Sequence, residues 1–348
     1  MSFKQKSLFD IKINHRNWVE TVASAFSLLT TASPGEVVCI VGPSRVGKTR
    51  IIEYLCDLLV QDDQFENTGK MPAIVVDAVN SGPNGVFSTK SFILRLLEKV
   101  KHPMFSALGA DPLEDLSLHK IERTTEAVLR MALERALIAR GVRYIFIDEA
   151  QHVKYATKGA MGSYAVMDSW KCLAKTTNSI LVVVGAYPIL DVLRNSPHLL
   201  GRKHQVHIPR YYYEDDDLKE FILIIQAFES KLTICDSLGS LISDEKIINL
   251  LYEGSLGCIG LLRAWLLRAQ SMATVMDSKI NKFILLRCKL SAVDLQEISQ
   301  EILDGEKLLL KEDEDETYMR NDKQQKKTNG TPFQRNPKRM TEGNRLGK

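Results

Sequence analysis

The sequence predicts an α/β fold in which a parallel sheet covered by helices is followed by a smaller all-helical region. Five short apolar runs, typical of buried parallel strands, alternate with helical patterns up to residue 209. Beyond residue 213 the strand pattern stops and helical segments follow one another. The predicted regions are a lead-in helix (1–35), an α/β core (36–212), a helical lid (213–305) and a charged, disordered tail (306–348).

The lead-in is predicted to form one amphipathic helix. Apolar side chains at helical spacing run from Trp18 to Leu29, and Pro34 and Gly35 then end the pattern. We expect this helix to pack on the sheet.

The central motif of the chain is the segment from Gly42 to Thr49, which matches the full pattern G-x-x-x-x-G-K-[ST]. A strand pattern at 36–41 precedes it and a helical pattern at 50–59 follows, so the loop leads into a helix N-terminus. Glycines allow backbone N–H groups to curl around a triphosphate, and the motif therefore predicts a P-loop that binds ATP. The residues expected to hold ATP are Gly42, Pro43, Ser44, Arg45, Val46, Gly47, Lys48, Thr49 and Arg50.

A second motif completes the predicted site. The apolar strand pattern at 144–147 ends in two carboxylates, Asp148 and Glu149. Lys48 is expected to bind the β- and γ-phosphates, while the Thr49 hydroxyl and Asp148 hold Mg²⁺. Glu149 is expected to act as the general base on the attacking water. The two motifs together predict an ATPase with Mg²⁺ as cofactor.

The rest of the core alternates in the same way. Further strands are predicted at 73–79, 180–186 and 206–209. Helices are predicted at 89–100 and 117–140, a loop at 154–163, and another helix that ends at residue 177. The lid helices are predicted at 218–228, 247–252, 256–276 and 295–303.

Composition excludes several classes of protein. A chain of 348 residues with 45% hydrophobic content can bury a large core, and its net charge of +3 carries no whole-chain indication of nucleic-acid binding. The six cysteines are scattered without C-x-x-C spacing, as in proteins of a reducing compartment. No secretory signal is recognisable, and no apolar run approaches the ~18 residues of a membrane span. We therefore expect a cytoplasmic protein with no membrane partner.

The C-terminal segment carries a strong local charge. Residues 317–348 hold nine Lys and Arg against two acidic residues, a net charge of +7. Such a segment is expected to be disordered alone and to serve as an interaction arm, the alternative being a tail that only adds solubility.

The P-loop, the Asp148 and Glu149 pair and the helical lid together resemble the AAA+ ATPases. Within that class, roughly residues 15–300 are similar to the transposition regulators of the TniB, TnsC and MuB type, through segments 148–152 and 184–211. The resemblance implies a bacterial ATPase that forms homo-oligomeric rings or filaments on duplex DNA. It also implies two partners, a target-selector protein and transposase subunits, of the type found in CRISPR-associated transposons.

The same resemblance assigns further residues. Arg202 would be an arginine finger for the γ-phosphate bound by a neighbouring subunit, with Arg194 and Arg210 as alternatives. The residues that would contact DNA phosphates without reading base sequence are Lys90, Lys120, Arg123, Lys154 and Lys158.

Two positions depart from the family pattern. Gly185 and Ala186 stand where relatives carry a polar sensor residue after the fourth strand, which leaves Tyr187 or Asn178 as substitutes. Gly260 stands at the second sensor position, with Arg263 one turn further on. Both departures predict slow, switch-like hydrolysis. Two other functions stay open, a remodelling or loader ATPase and a nucleotide-sensing ATPase of secretion or signalling.

Overall fold

A five-stranded parallel sheet lies at the centre of the core. The computed structural model describes residues 13–60, 69–82, 85–105, 123–156, 159–194, 203–235 and 239–326. The strands are β1 (Val37–Val41), β2 (Ala73–Asp77), β3 (Tyr144–Asp148), β4 (Ile180–Gly185) and β5 (Lys203–His207). They are ordered β2-β3-β4-β1-β5 and every neighbouring pair is parallel, so the predicted α/β fold is confirmed.

Helices cover the sheet, and both faces of its central strands are buried. The helices are α1 (Arg16–Thr31), α2 (Lys48–Val60), α3 (Thr89–Lys99), α4 (Glu126–Arg140), α5 (Gly159–Thr176) and α6 (Ile189–Arg194), with a 3-10 turn at Ala150–Tyr155. Val38 and Ile40 of β1 pack with Leu29 of α1 and Leu55 of α2. Since successive side chains point to opposite faces, Cys39 faces the other way, and it is equally buried. Burial on both faces explains the unbroken apolar strand patterns.

An all-helical region follows β5, as predicted. Its helices are α7 (Asp215–Glu229), α8 (Glu245–Ser255), α9 (Ile259–Val275) and α10 (Lys282–Cys288). They enclose a hydrophobic core of their own that contains Phe221, Leu251 and Trp265. Trp265 is 1% exposed, and its indole Nε1 donates to the carbonyl of Leu285 at 2.8 Å, which joins α9 to α10.

The last described helix, α11 (Ala292–Lys326), continues well beyond residue 303. The chain divides into two compact units, Met1–Gly305 and Glu306–Lys348, and α11 contributes to both. The prediction of disorder from residue 306 is therefore wrong as far as residue 326, and residues 327–348 lie outside the described part. Residues 306–326 contain no Gly or Pro and are rich in Lys, Glu and Leu, so helix propensity sustains this segment despite its polarity.

Several predicted boundaries were also wrong. β5 begins at Lys203 because an edge strand accepts polar side chains, whereas the apolar pattern pointed to 206–209. The expected loop at 154–163 is shortened by the end of the 3-10 turn and by the start of α5. The short helices α6 and α10 were missed, and α4 begins only at Glu126, after the Thr125 N-cap.

No single helix within the described ranges is long and apolar enough to cross a membrane. The bent pair α8 and α9 meets the criteria of length and composition only when its two helices are taken together.

Candidate functional site

A cavity of about 1160 Å³ lies between the P-loop and the helical region, within the unit Met1–Gly305. Its size suits a ligand as large as a nucleotide. One wall is formed by the P-loop and Glu149, and another by the first turns of α9. Residues ahead of and within α1 close a third side, namely Ile13, Asn14, His15 and Trp18, beside Tyr54 of α2.

The residues predicted to hold ATP fall into two sets. Those from Arg45 to Arg50 line the cavity, and Arg50 also forms an exposed ion pair with Glu53 at 3.0 Å. Gly42 and Pro43 are buried at the base of the loop, while the Ser44 side chain turns towards α11.

Lys48 is the buried cation of the site. It is the first residue of α2 and is only 7% exposed. Its Nζ donates to the carbonyl oxygens of Gly42 at 3.2 Å and Pro43 at 2.8 Å. Burial lowers the pKa of Lys48, and the carboxylates of Glu149, Asp148 and Glu301 oppose this shift. The ammonium therefore sits among groups that favour its charged form and beside the cavity that a polyphosphate would enter.

Thr49 and Asp148 form a pair of oxygen ligands. The Thr49 hydroxyl donates to Asp148 Oδ2 at 2.8 Å, and the Glu149 N–H donates to Asp148 Oδ1 at 2.8 Å. Asp148 is 2% exposed; burial raises its pKa, and the two hydrogen bonds oppose the shift. Within the described residues, no group of three or more His, Cys, Asp and Glu could hold a metal alone. The pair fits Mg²⁺, which binds through few carboxylates and takes its other ligands from phosphate and water.

Glu149 is held by Gln151, a residue outside the predicted site. Glu149 follows β3 with a left-handed backbone, φ 52°, and lines the cavity. Gln151, in the 3-10 turn, donates from Nε2 to the Glu149 carboxylate. Its Oε1 accepts the Ala186 N–H at 3.1 Å. One amide thus joins the ends of β3 and β4, and the only sequence signal for it was its place two residues after Glu149.

The sensor substitutes predicted for β4 do not line the cavity. Tyr187 is 1% exposed and its hydroxyl hydrogen-bonds to His207 Nε2 at 3.0 Å. Asn178 precedes β4, so it lies at the end of the strand that is opposite the P-loop. Neither side chain therefore lines the described cavity, and the Gln151 amide lies against Gly185 at the end of β4.

The second sensor position is closed by tight packing. A Cβ added at Gly260 would lie 2.1 Å from the carbonyl oxygen of Arg45, so the start of α9 can approach the P-loop only with glycine there. Arg263, one turn later, lines the cavity.

A carboxylate from α11 also reaches the P-loop. Ser44 Oγ donates to Glu301 Oε1 at 3.1 Å, and Glu301 lies close enough to Lys48 to affect its pKa. The adjacent Ile302 is 1% exposed and packs against Cys258 and Leu261 at the start of α9, which fixes α11 in this position. No sequence motif predicted this contact between Glu301 and the P-loop.

The start of α1 is fixed by a neutral histidine. His15 Nδ1 accepts from the Trp18 N–H at 3.3 Å and from the Tyr211 hydroxyl at 2.9 Å. Burial lowers the pKa of His15 to about 4, so the ring is uncharged at neutral pH. These bonds tie the cavity wall to the segment that leads into α7.

The residues assigned by resemblance are only partly covered by the structure. Arg202, Lys120 and Lys158 lie outside the described residues. Of the alternatives to Arg202, Arg194 ends α6, and Arg210 stacks on the Tyr212 ring at 5.0 Å.

Three of the predicted DNA-contacting residues, Lys90, Arg123 and Lys154, lie on adjoining segments. The Phe87 N–H donates to the Tyr155 carbonyl at 3.1 Å, which brings the segments of Lys90 and Lys154 together. Thr89 at the start of α3 donates to Glu126 at 3.0 Å, three residues after Arg123. Lys154 forms an ion pair with Asp191 at 2.8 Å.

Comparison with known proteins identifies the core. Residues 32–193 match the family model of the AAA domain. No curated protein matches the chain significantly.

Among solved structures, the ORC2 protein of Aeropyrum pernix in its ADPNP–ADP complexes is 13% identical, with a TM-score of 0.51 over 82% of this chain and 71% of that chain. Its ADP form is 16% identical, with a TM-score of 0.51 over 82% and 72%. A Walker-type ATPase of Pyrococcus abyssi is 15% identical, with a TM-score of 0.47 over 91% and 81%. The ORC2 similarity shows that the chain has the AAA+ P-loop NTPase fold.

Proposed function

We propose that this protein is an ATP-dependent regulator of DNA transposition that assembles on duplex DNA. The match of residues 32–193 to the AAA domain family supports the ATPase part of this proposal. The protein hydrolyses ATP slowly, forms rings or filaments of identical subunits, and links a target-selector protein to transposase subunits. The ATPase part rests on one observation, the convergence of Lys48, the Thr49 and Asp148 pair and Glu149 at a single cavity. The transposition part is supported by the sequence resemblance in segments 148–152 and 184–211.

In the proposed ATPase reaction, each residue has a distinct task. Lys48 binds the phosphate oxygens in place of the two carbonyls it now contacts. Mg²⁺, held by Thr49 and Asp148, would offset the negative charge of the phosphates. Glu149 accepts a proton from the attacking water. Arg202 of a neighbouring subunit supplies a further cation, so hydrolysis depends on assembly.

The DNA part of the proposal is supported by the grouping of Lys90, Arg123 and Lys154 on adjoining segments. Each contact between such a side chain and a phosphate is weak and independent of base sequence. Repetition of one contact along a filament multiplies the affinity and makes it strongly dependent on salt.

Assembly on DNA is tested by electron microscopy and sedimentation of the protein with duplex DNA, with and without a non-hydrolysable ATP analogue. We expect rings or filaments only when both ligands are present. A triple variant with Lys90, Arg123 and Lys154 changed to Glu should lose DNA binding at about 150 mM salt, because it reverses three charges per subunit. The matched control changes three exposed lysines of the helical region to Glu, namely Lys219, Lys231 and Lys246.

The other outcomes separate the alternative functions. A loader or remodelling ATPase would increase its turnover with protein substrates or single-stranded DNA and would form no filament on duplex DNA. A nucleotide-sensing ATPase would not be retained on DNA with any nucleotide. Strand-transfer assays with candidate transposase subunits then test the transposition step, which would be refuted if target choice did not depend on this protein and ATP.

Glu301→Gln is expected to tighten ATP binding. The Glu301 carboxylate accepts a hydrogen bond from the P-loop and lies near Lys48, where it opposes an incoming triphosphate. Removing this like charge should be worth on the order of 1 kcal/mol, or about fivefold in Kd measured by calorimetry. Glu297→Gln, on an exposed position one turn earlier in α11, serves as the matched control. An unchanged affinity in Glu301→Gln would show that this carboxylate moves away without cost, and a weaker affinity would refute the expected repulsion.

A further inference from the structure

We propose that Gln151 is the positioning residue for Glu149 and takes the part of a polar side chain on β4, an inference that rests on the proposed ATP hydrolysis. The hydrogen bonds define the orientation of its amide. The Ala186 N–H can only donate a hydrogen bond, so its partner must be Gln151 Oε1. The ionised Glu149 carboxylate can only accept, so its partner must be Gln151 Nε2. The donor therefore always faces Glu149.

Gly185 provides the space that the Gln151 amide occupies. A Cβ added at Gly185 would lie 2.6 Å from Gln151 Oε1, so a residue with a side chain at the end of β4 would displace the amide. Gly185 at the end of β4 thus leaves the space that the Gln151 amide fills.

The 3-10 turn that carries Gln151 is anchored in the core. Ala150 and Val153 are fully buried, and the Gln151 side chain itself bonds to the Ala186 N–H. Because this burial fixes the backbone of the turn, the Gln151 amide has a defined place from which to orient Glu149. An amide donor on one carboxylate oxygen restricts rotation of the side chain and leaves the other oxygen available for water. Orientation of this kind affects the chemical step more than ATP binding.

Gln151→Glu is the most direct test, because it keeps the side-chain length and the acceptor for Ala186 but loses the donor. We expect kcat for ATP hydrolysis to fall about 10- to 100-fold, with KM within about threefold of the parent value. A fall in kcat at nearly constant KM is the readout, because altered positioning affects the chemical step, whereas general damage to the site would also raise KM.

The matched control is Gln300→Glu, which removes another bond from an amide to a carboxylate, that of Gln300 to Asp304 at 2.9 Å, on an exposed position of α11. It should retain parent kinetics. Parent-like kcat in Gln151→Glu would overturn the inference, and so would a loss of kcat accompanied by a similar rise in KM, since that indicates general damage to the site.

A double-mutant cycle with Gly185→Ala tests the same contact without changing the chemistry of the amide. Gly185→Ala should lower kcat about tenfold in the parent, by displacing Gln151, and less than about twofold in a Gln151→Ala background, where the space is free. Additive effects would overturn the inference. If the parent protein does not hydrolyse ATP, both the proposed ATPase activity and this inference fail. If the parent hydrolyses ATP and the effects of the two substitutions on kcat are additive, only the inference fails.

Discussion

Replacing Lys48 by alanine should weaken ATP binding by about 100-fold or more, since truncating one partner of a buried, hydrogen-bonded charge pair costs roughly 2–5 kcal/mol. Lys48 is 7% exposed, and no other lysine lines the described cavity, so no second ammonium can take its place. The loss should appear as a higher Kd in calorimetric titration with ATP. The proposed nucleotide-dependent assembly on DNA should be lost at the same time.

The matched control is Lys219→Ala, which removes an exposed lysine of α7 whose ion pair with Asp216 lies at the surface. It should bind ATP like the parent, because exposed ion pairs contribute little to stability. Circular dichroism of Lys48→Ala is needed as well, because the variant leaves two neighbouring carboxylates, Asp148 and Glu149, without their cation. A folded Lys48→Ala protein with parent affinity would refute the assignment of Lys48 to phosphate binding.

Replacing Glu149 by glutamine should abolish most ATP hydrolysis while ATP binding is retained. General-base catalysis contributes about 10²- to 10⁴-fold, and an amide of the same size cannot accept the proton from water. Glu149 lines the cavity and comes directly after Asp148, whose pairing with Thr49 is untouched by this change. Phosphate release should therefore fall by that factor, whereas the Kd for ATP stays within about threefold of the parent value.

Because ATP stays bound but uncleaved, Glu149→Gln should also stabilise the proposed assemblies on DNA. Filaments that persist longer with ATP than those of the parent would support a switch in which hydrolysis releases the protein. Glu20→Gln, at an exposed position of α1 that does not line the described cavity, is the control for loss of one carboxylate. Turnover by Glu149→Gln at the parent rate would assign the general base to another group.

The fold was predictable wherever burial was complete. β1, β3 and β4 are buried along their whole length, and their unbroken apolar runs located them to within about a residue. At the sheet edge the same pattern failed, because β5 begins with polar residues at Lys203. The short helices α6 and α10 offer too few turns for a periodic pattern to stand out.

The functional site was likewise predictable from the sequence only in part. The eight positions from Gly42 to Thr49 are consecutive, and Asp148 and Glu149 end a single strand, so their chemistry could be predicted from local patterns. The contact of Ser44 with Glu301 joins residues 257 positions apart, and no local pattern links them. Gln151 lies beside the predicted motif, but its role depends on where β4 ends.

The sequence by itself determined the P-loop, the two carboxylates at the end of β3 and the alternation of the strands with the longer helices. The physical reason is that strand, loop and helix follow from the backbone preferences and burial pattern of neighbouring residues. Only the tertiary structure decided that Gln151 bridges Glu149 to Ala186, that Gly260 lets α9 reach the P-loop, and that α11 brings Glu301 to Ser44. Those contacts join segments whose approach is set by close packing of the whole core, which no short stretch of chain encodes.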